Sequence, residues 1–172
     1  MKRYIVSAVM PLEDESFDTK YYSIAQDPNA RATILARLAK DPEWLIRAEV
    51  AKNPSTSSET LSELAHDPES SVRFSAAKNP NTPVSDLMQL AGDPDEHVHS
   101  AVAGNPSTPT DILEALSHEV GRIDEHLTRY WVACNPNTPL AALRQLKNDW
   151  KEPVRKAAQK TIFEVYGREA LY

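Results

Sequence analysis

The chain has little cysteine and little glycine. Cys134 is the only cysteine, and the four glycines, Gly92, Gly104, Gly121 and Gly167, never cluster. One cysteine excludes an intrachain disulfide and any all-cysteine metal cluster within one chain, and it fits a reducing compartment. Scattered glycines exclude a phosphate-cradling loop of either the P-loop or the dinucleotide style. A Gly-x-Ser-x-Gly nucleophile elbow is missing as well. Long apolar runs are absent too: nothing approaches the ~20 residues of a membrane helix. The apolar run Tyr4 to Met10 follows Lys2 and Arg3, but it ends at Pro11 and is followed by Glu13, Asp14 and Glu15 instead of a small-residue cleavage site. The expectation is a cytoplasmic chain, neither secreted nor membrane-bound. Basic residues are in deficit, 19 against 25 acidic ones, for a net charge of −6. That balance opposes a polyanionic partner unless Lys and Arg gather on one surface.

Proline, in contrast, is abundant, with 13 in all, and its placement is periodic. Leu64-Ala65-His66-Asp67-Pro68 recurs 26 residues earlier as Leu38-Ala39-Lys40-Asp41-Pro42 and 26 later as Leu90-Ala91-Gly92-Asp93-Pro94. The same shift relates Arg47 to Arg73, and Asn53-Pro54 to Asn79-Pro80 and Asn105-Pro106. A fixed period between about 20 and 50 residues marks a stacked repeat array. The predicted fold is all-α, a solenoid of about five two-helix units of 26 residues.

Each unit reads as two short helices joined by prolyl corners. Asp67-Pro68 suits an N-cap carboxylate followed by proline at the first helical position, with an acidic residue next in line at Glu43, Glu69 and Asp95. The first helix buries Val72 and Ala76 and their equivalents, followed by the small residues Ala51, Ala77, Ala103 and Ala133. It stops at Asn-Pro, because proline disfavours the α region for the residue before it. The second helix is expected to open at an N-capping threonine, at Thr82, Thr108 and Thr138, or at Thr56 in a capping box with Glu59. Its inner face is Leu61 and Leu64, repeated as Leu87 and Leu90, Leu113 and Leu116, and Leu143 and Leu146.

Three segments follow: an N-terminal cap or tail over 1–26, the repeat array over 27–148, and a C-terminal capping repeat over 149–172. A four-residue insertion interrupts the array near 119–128, where Glu119-Val120 replaces the Asp-Pro corner.

The recurring Leu-Ala-x-Asp-Pro, Val-Arg, Asn-Pro-x-Thr-Pro and Leu-x-x-Leu resemble the leucine-rich repeat variant family, a bacterial family akin to HEAT-like α-solenoids, over roughly residues 27–158. The resemblance implies alternating α and 3₁₀ helices in a right-handed superhelix. One type within the family carries an iron–sulfur cluster on an N-terminal cysteine cluster. This chain has no such cysteines, so no cofactor and no redox role is carried over.

Arg47, Arg73, Arg129 and Arg155 share one repeat position, with His99 filling the remaining turn, and are expected to form a structural ladder pairing with carboxylates or helix-end carbonyls of neighbouring units. The alternative is a stripe for phosphate or an acidic partner. Large aromatics stand where other units have small or polar residues: Trp44 against Ser70 and Glu96, and Trp131 against Ser75 and Ala101. Trp44 is expected to pack under the N-terminal segment. Tyr130 and Trp131 follow the insertion and serve either as packing or as interface anchors. The leading reading is a non-enzymatic scaffold for another protein, contacted through Arg122, Asp124 and His126 with Tyr130 and Trp131 as anchors. The alternative is a HEAT-like nucleic-acid-binding or alkylpurine-glycosylase-like protein, with Trp131, Tyr130 and Asp124 cast by analogy. No metal site is expected: His97 and His99 lie on different helix faces, and His118, Glu119, Glu125 and His126 are the only other group worth weighing.

Overall fold

The computed structural model describes residues 15–118 and 126–171. Among them are eleven α-helices and no strand. The helices are α1 (Glu15–Gln26), α2 (Ala32–Leu38), α3 (Trp44–Lys52), α4 (Ser58–Leu64), α5 (Ser70–Lys78), α6 (Val84–Leu90), α7 (Glu96–Gly104), α8 (Thr110–Ser117), α9 (Leu127–Cys134), α10 (Leu140–Leu146) and α11 (Glu152–Thr161). A π turn, Ile162–Tyr166, and a 3₁₀ turn, Arg168–Leu171, follow α11. The even-numbered helices from α2 to α10 are α-helical throughout, so the α/3₁₀ alternation implied by the family resemblance does not appear in the described units. The apolar segment at residues 4–10, the altered corner at 119–125, and with them Arg122 and Asp124, lie outside the described residues.

The odd-numbered helices pack side by side in chain order, whereas the even-numbered ones touch mainly the odd helices beside them. Two layers with unequal spacing must curve, and the closely packed layer takes the inside of the bend. Between the layers lies one continuous core. The inner layer contributes Val50, Val72, Val98, Val132 and Val154, and the outer layer Leu35, Leu61, Leu87, Leu113 and Leu143, all fully buried. Each such side chain adds about 1.5–3 kcal/mol by leaving water. Helices of seven to ten residues have no stability of their own, so this stacking holds the array together.

Two seams of polar side chains tie unit to unit. Along the edge where the inner helices end, Asn79 Nδ2 donates to the carbonyls of Ala51 (2.8 Å) and Asn53 (3.0 Å) in the preceding unit, and its Oδ1 accepts the N–H of Asn81. Asn53, Asn105 and Asn135 repeat this pattern, and Thr161 Oγ1 reaches Ala133 in the same place. All four asparagines are buried, so each answers carbonyls that the prolyl corner has left without a helical partner. The carbonyls meeting Asn53 belong to Ala25 and Asp27, and α1 packs against α3. Residues 15–26 are therefore the first inner helix, and the boundary expected at residue 27 falls inside a unit.

The second seam, at the opposite edge, corrects the reading of the corners. Asp67 does not cap its helix; that place is taken two residues later by Glu69, as it is by Glu43 and Asp95 in their units. The Asp67 carboxylate is instead clasped by Arg47 of the unit before (Nε 2.6 Å, Nη2 2.9 Å) and accepts the N–H of Glu69. The threonines are corrected in the same sense. Ser57, Pro83, Pro109 and Pro139 stand at the N-cap positions, and Ser57 Oγ accepts the Thr60 N–H. Thr82, Thr108 and Thr138 are buried and donate their hydroxyls back to Ala76, Val102 and Val132, as Thr56 does to Val50, closing the end of the helix before.

Candidate functional site: the groove across the inner helices

The inner layer presents its open side as a groove of about 530 Å³ spanning four successive units. Trp44, Leu45, Ala48 and Lys52 of α3, Ser70, Ser71, Phe74 and Ser75 of α5, His97 and Ser100 of α7, and Leu127 and Trp131 of α9 line it together with Asp95. The floor is small-residued because those positions face close neighbours, which lets the large rings stand as walls. Trp44 and Trp131 are 43 % and 42 % exposed, and the groove is lined by both. The Trp131 indole lies against α7 at Gly104, where an added Cβ would sit 3.4 Å from its Cε3. Tyr130 meets Trp131 edge-on at 5.6 Å but faces the other way, into a separate 530 Å³ hollow between α9 and α11 with Cys134, Lys156 and Lys160. Burial pushes the Cys134 thiol up, and the hydrogen bond with Tyr130, which pulls the other way, does not reverse this. The thiol is thus protonated at neutral pH.

The ladder residues stand apart from the groove floor and are tied down. Arg73 grips Asp93 (Nε 2.7 Å, Nη2 2.9 Å), Arg129 grips Asp149 (Nε 2.7 Å), and the Nη1 of Arg73 also donates to the carbonyls of Asp67 and Pro68. Arg155 donates to the Asp149 carbonyl, and His99 Nε2 meets the Asp93 carbonyl at 2.7 Å. Burial pushes the carboxyls of Asp67, Asp93 and Asp149 up, but the arginine hydrogen bonds, the backbone N–H groups and the arginine charges outweigh it and hold all three below the usual carboxylate range. The same hydrogen bonds raise Arg47 and Arg73. The Arg47–Asp67, Arg73–Asp93 and Arg129–Asp149 rungs are neutral as pairs, and clasps of this kind leave none of these three guanidinium forks open to a phosphate.

Of the five proposed contact residues, the three described ones do not line one common surface. Trp131 enters the groove, Tyr130 turns to the neighbouring hollow, His126 stands at the N-cap of α9 beside the groove residue Leu127, and Arg122 and Asp124 fall outside the described residues. Trp44 shares the groove with Trp131; the expectation that it packs under the N-terminal segment falls largely on residues 1–14, outside the described residues. Among the described residues no three His, Cys, Asp or Glu side chains stand close enough to hold a metal ion, and no helix there is long and apolar enough to cross a membrane.

Against this geometry, the sequences of residues 44–69 and 71–95 match the family described as leucine rich repeat variant. The two matched stretches are adjacent and fall on two successive units of the array. The match falls on two of the units that carry both seams, α3–α4 and α5–α6, and the helical repeat of this family is HEAT-like. No curated protein matches the chain. The asparagine seam escaped the sequence reading, which took Asn-Pro only as a helix stop. The signal was there in the asparagine itself, invariant before proline in four units where any residue would end a helix.

Proposed function

We propose that this helical-repeat scaffold is a non-enzymatic protein-binding module whose partner lies in the inner groove, anchored on Trp44 and Trp131. The observation that carries the reading is the exposure of both indoles in one groove, at positions where the other inner helices have small or polar residues. Exposed rings over a small-residued floor offer large contact area at low entropic cost, which is the composition of an interface centre. His126 and Tyr130 are proposed as flanking contacts. The paired rung arginines and the net charge of −6 favour protein over nucleic acid. The compartment that fits a lone thiol is the cytoplasm.

The test is selection of a random 16-residue peptide library, displayed on phage, on the wild-type chain and on the Trp44→Ala/Trp131→Ala variant. Peptides that bind the wild type and lose about thirtyfold or more in affinity on the variant, the scale of removing an aromatic hot spot, are the expected result. Peptides indifferent to the variant, no enrichment at all, or salt-sensitive DNA binding at physiological ionic strength count against the reading.

A further inference from the structure

The two rims of the groove carry opposite and unequal charge. On the edge where the inner helices begin, the N-cap residues are Glu43, Glu69 and Asp95; Asp95 lines the groove, and Glu43 and Glu69 directly precede its lining residues Trp44 and Ser70. No Lys or Arg forms an ion pair with any of these three among the described residues, and the arginines on that edge are neutralised by Asp67 and Asp93. The Ser70 hydroxyl, with the N–H of His97, holds the Asp95 carboxyl below the usual range against the effect of burial, so it is charged at neutral pH. On the opposite side, Lys52 lines the groove but is bound to Glu49 at 2.7 Å, and Lys78 stands over the Phe74 ring, 5.6 Å from its centre, in the adjoining hollow. Trp44 is the first residue of α3, immediately after Glu43, and it lines the groove together with Ser70 and Asp95 of the next units. An exposed indole in one groove with a charged carboxylate that has no ion pair is a seat for a cation, which gains from the ring quadrupole and from the charge together. The chain already makes such a contact elsewhere: Lys151 Nζ sits 4.2 Å from the centre of the Trp150 ring.

We propose that the groove takes an extended segment of a partner protein bearing arginine or lysine, with the cation seated on Trp44 against the carboxylates of Glu43, Glu69 and Asp95. This rests on the groove being the binding surface. A neutral apolar segment would use the indoles and leave the carboxylate rim unanswered, and an acidic one would face repulsion along it.

The library selection separates the two statements. The expected result is that peptides dependent on Trp44 and Trp131 are enriched in Arg and Lys, and that a synthetic copy of the best one loses affinity when its basic residues become Gln. Glu69→Gln/Asp95→Asn should weaken that peptide about threefold to tenfold, the scale of two partly exposed ion pairs, with a smaller dependence on salt than the wild type. Folding is guarded in this variant, because Asn caps a helix as well as Asp does and Glu69 makes no side-chain capping bond; an unchanged melting temperature checks it. Groove-dependent peptides that are neutral or acidic overturn the cation seat and leave the groove reading standing, as does full affinity in the carboxylate variant. Peptides indifferent to the tryptophan variant overturn both.

Discussion

Along the edge where the inner helices end, Asn53, Asn79, Asn105 and Asn135 each reach back to the unit before, and the row has no gap among the described units. Along the edge where those helices begin, the arginine row runs Arg47, Arg73, then His99, and resumes at Arg129. Each clasping arginine finds its aspartate 20 residues on. From His99 the same step leads to Glu119, in the altered corner. The extra residues thus enter on the arginine side, while Asn135 still bonds the carbonyls of Ala103 and Asn105 across separations of 32 and 30 instead of 28 and 26. The asparagine edge sets the spacing of the stack, and the arginine edge is where the array departs from its repeat. The reason is chemical: the asparagines answer backbone carbonyls, which every unit has, whereas each arginine needs one particular side chain in the next.

The comparison is broken most directly by removing an asparagine. Asn79→Ala leaves the Ala51 carbonyl and the Asn81 N–H without their partner, while the Asn53 carbonyl keeps the Thr56 N–H; at ~1–3 kcal/mol for each stranded group the loss should be about 4 kcal/mol. Chemical denaturation measures it, and a loss below that of an arginine variant would reverse the ranking of the two edges. Arg73→Met strands the Asp93 carboxylate, whose side chain is 5 % exposed, and should cost about 3 kcal/mol. Arg73→Met/Asp93→Leu should cost less than either single change, because a buried pair taken out whole leaves no stranded charge.

Acid should act chiefly on the arginine edge. Asp67, Asp93 and Asp149 are held below their ordinary value in the fold, so the unfolded chain binds more protons there. Their contribution is complete above the unfolded value of about 3.9 and is lost as pH falls through the lower folded values. The melting temperature should therefore fall below about pH 4, and by less in Arg73→Met/Asp93→Leu, which has one rung fewer to lose. The smallest effect is expected in the groove. Trp131→Ala removes a ring that is 42 % exposed and should cost about 1 kcal/mol, well short of the ~3–5 kcal/mol of a buried aromatic, while abolishing the binding of groove-selected peptides.

The period, the all-helical class and the leucine and valine faces were legible in the sequence, because repeat spacing and helical periodicity are local properties that survive without coordinates. Trp44 and Trp131 were legible as departures from the repeat. Their meeting in one groove was not, since residues so distant in the chain share a surface only through the curvature of the stack. The corners were misread for a related reason. Asp before proline and threonine before proline both satisfy local capping rules, and those rules cannot show that Asp67 is claimed by Arg47 of the unit before or that Thr82 closes the helix behind it. The sequence by itself determined that units repeat and which faces they bury. Tertiary structure decided which partner each polar corner residue takes, because burial makes an unanswered charge or carbonyl costlier than an uncapped helix start, and only the stacked neighbour can answer it.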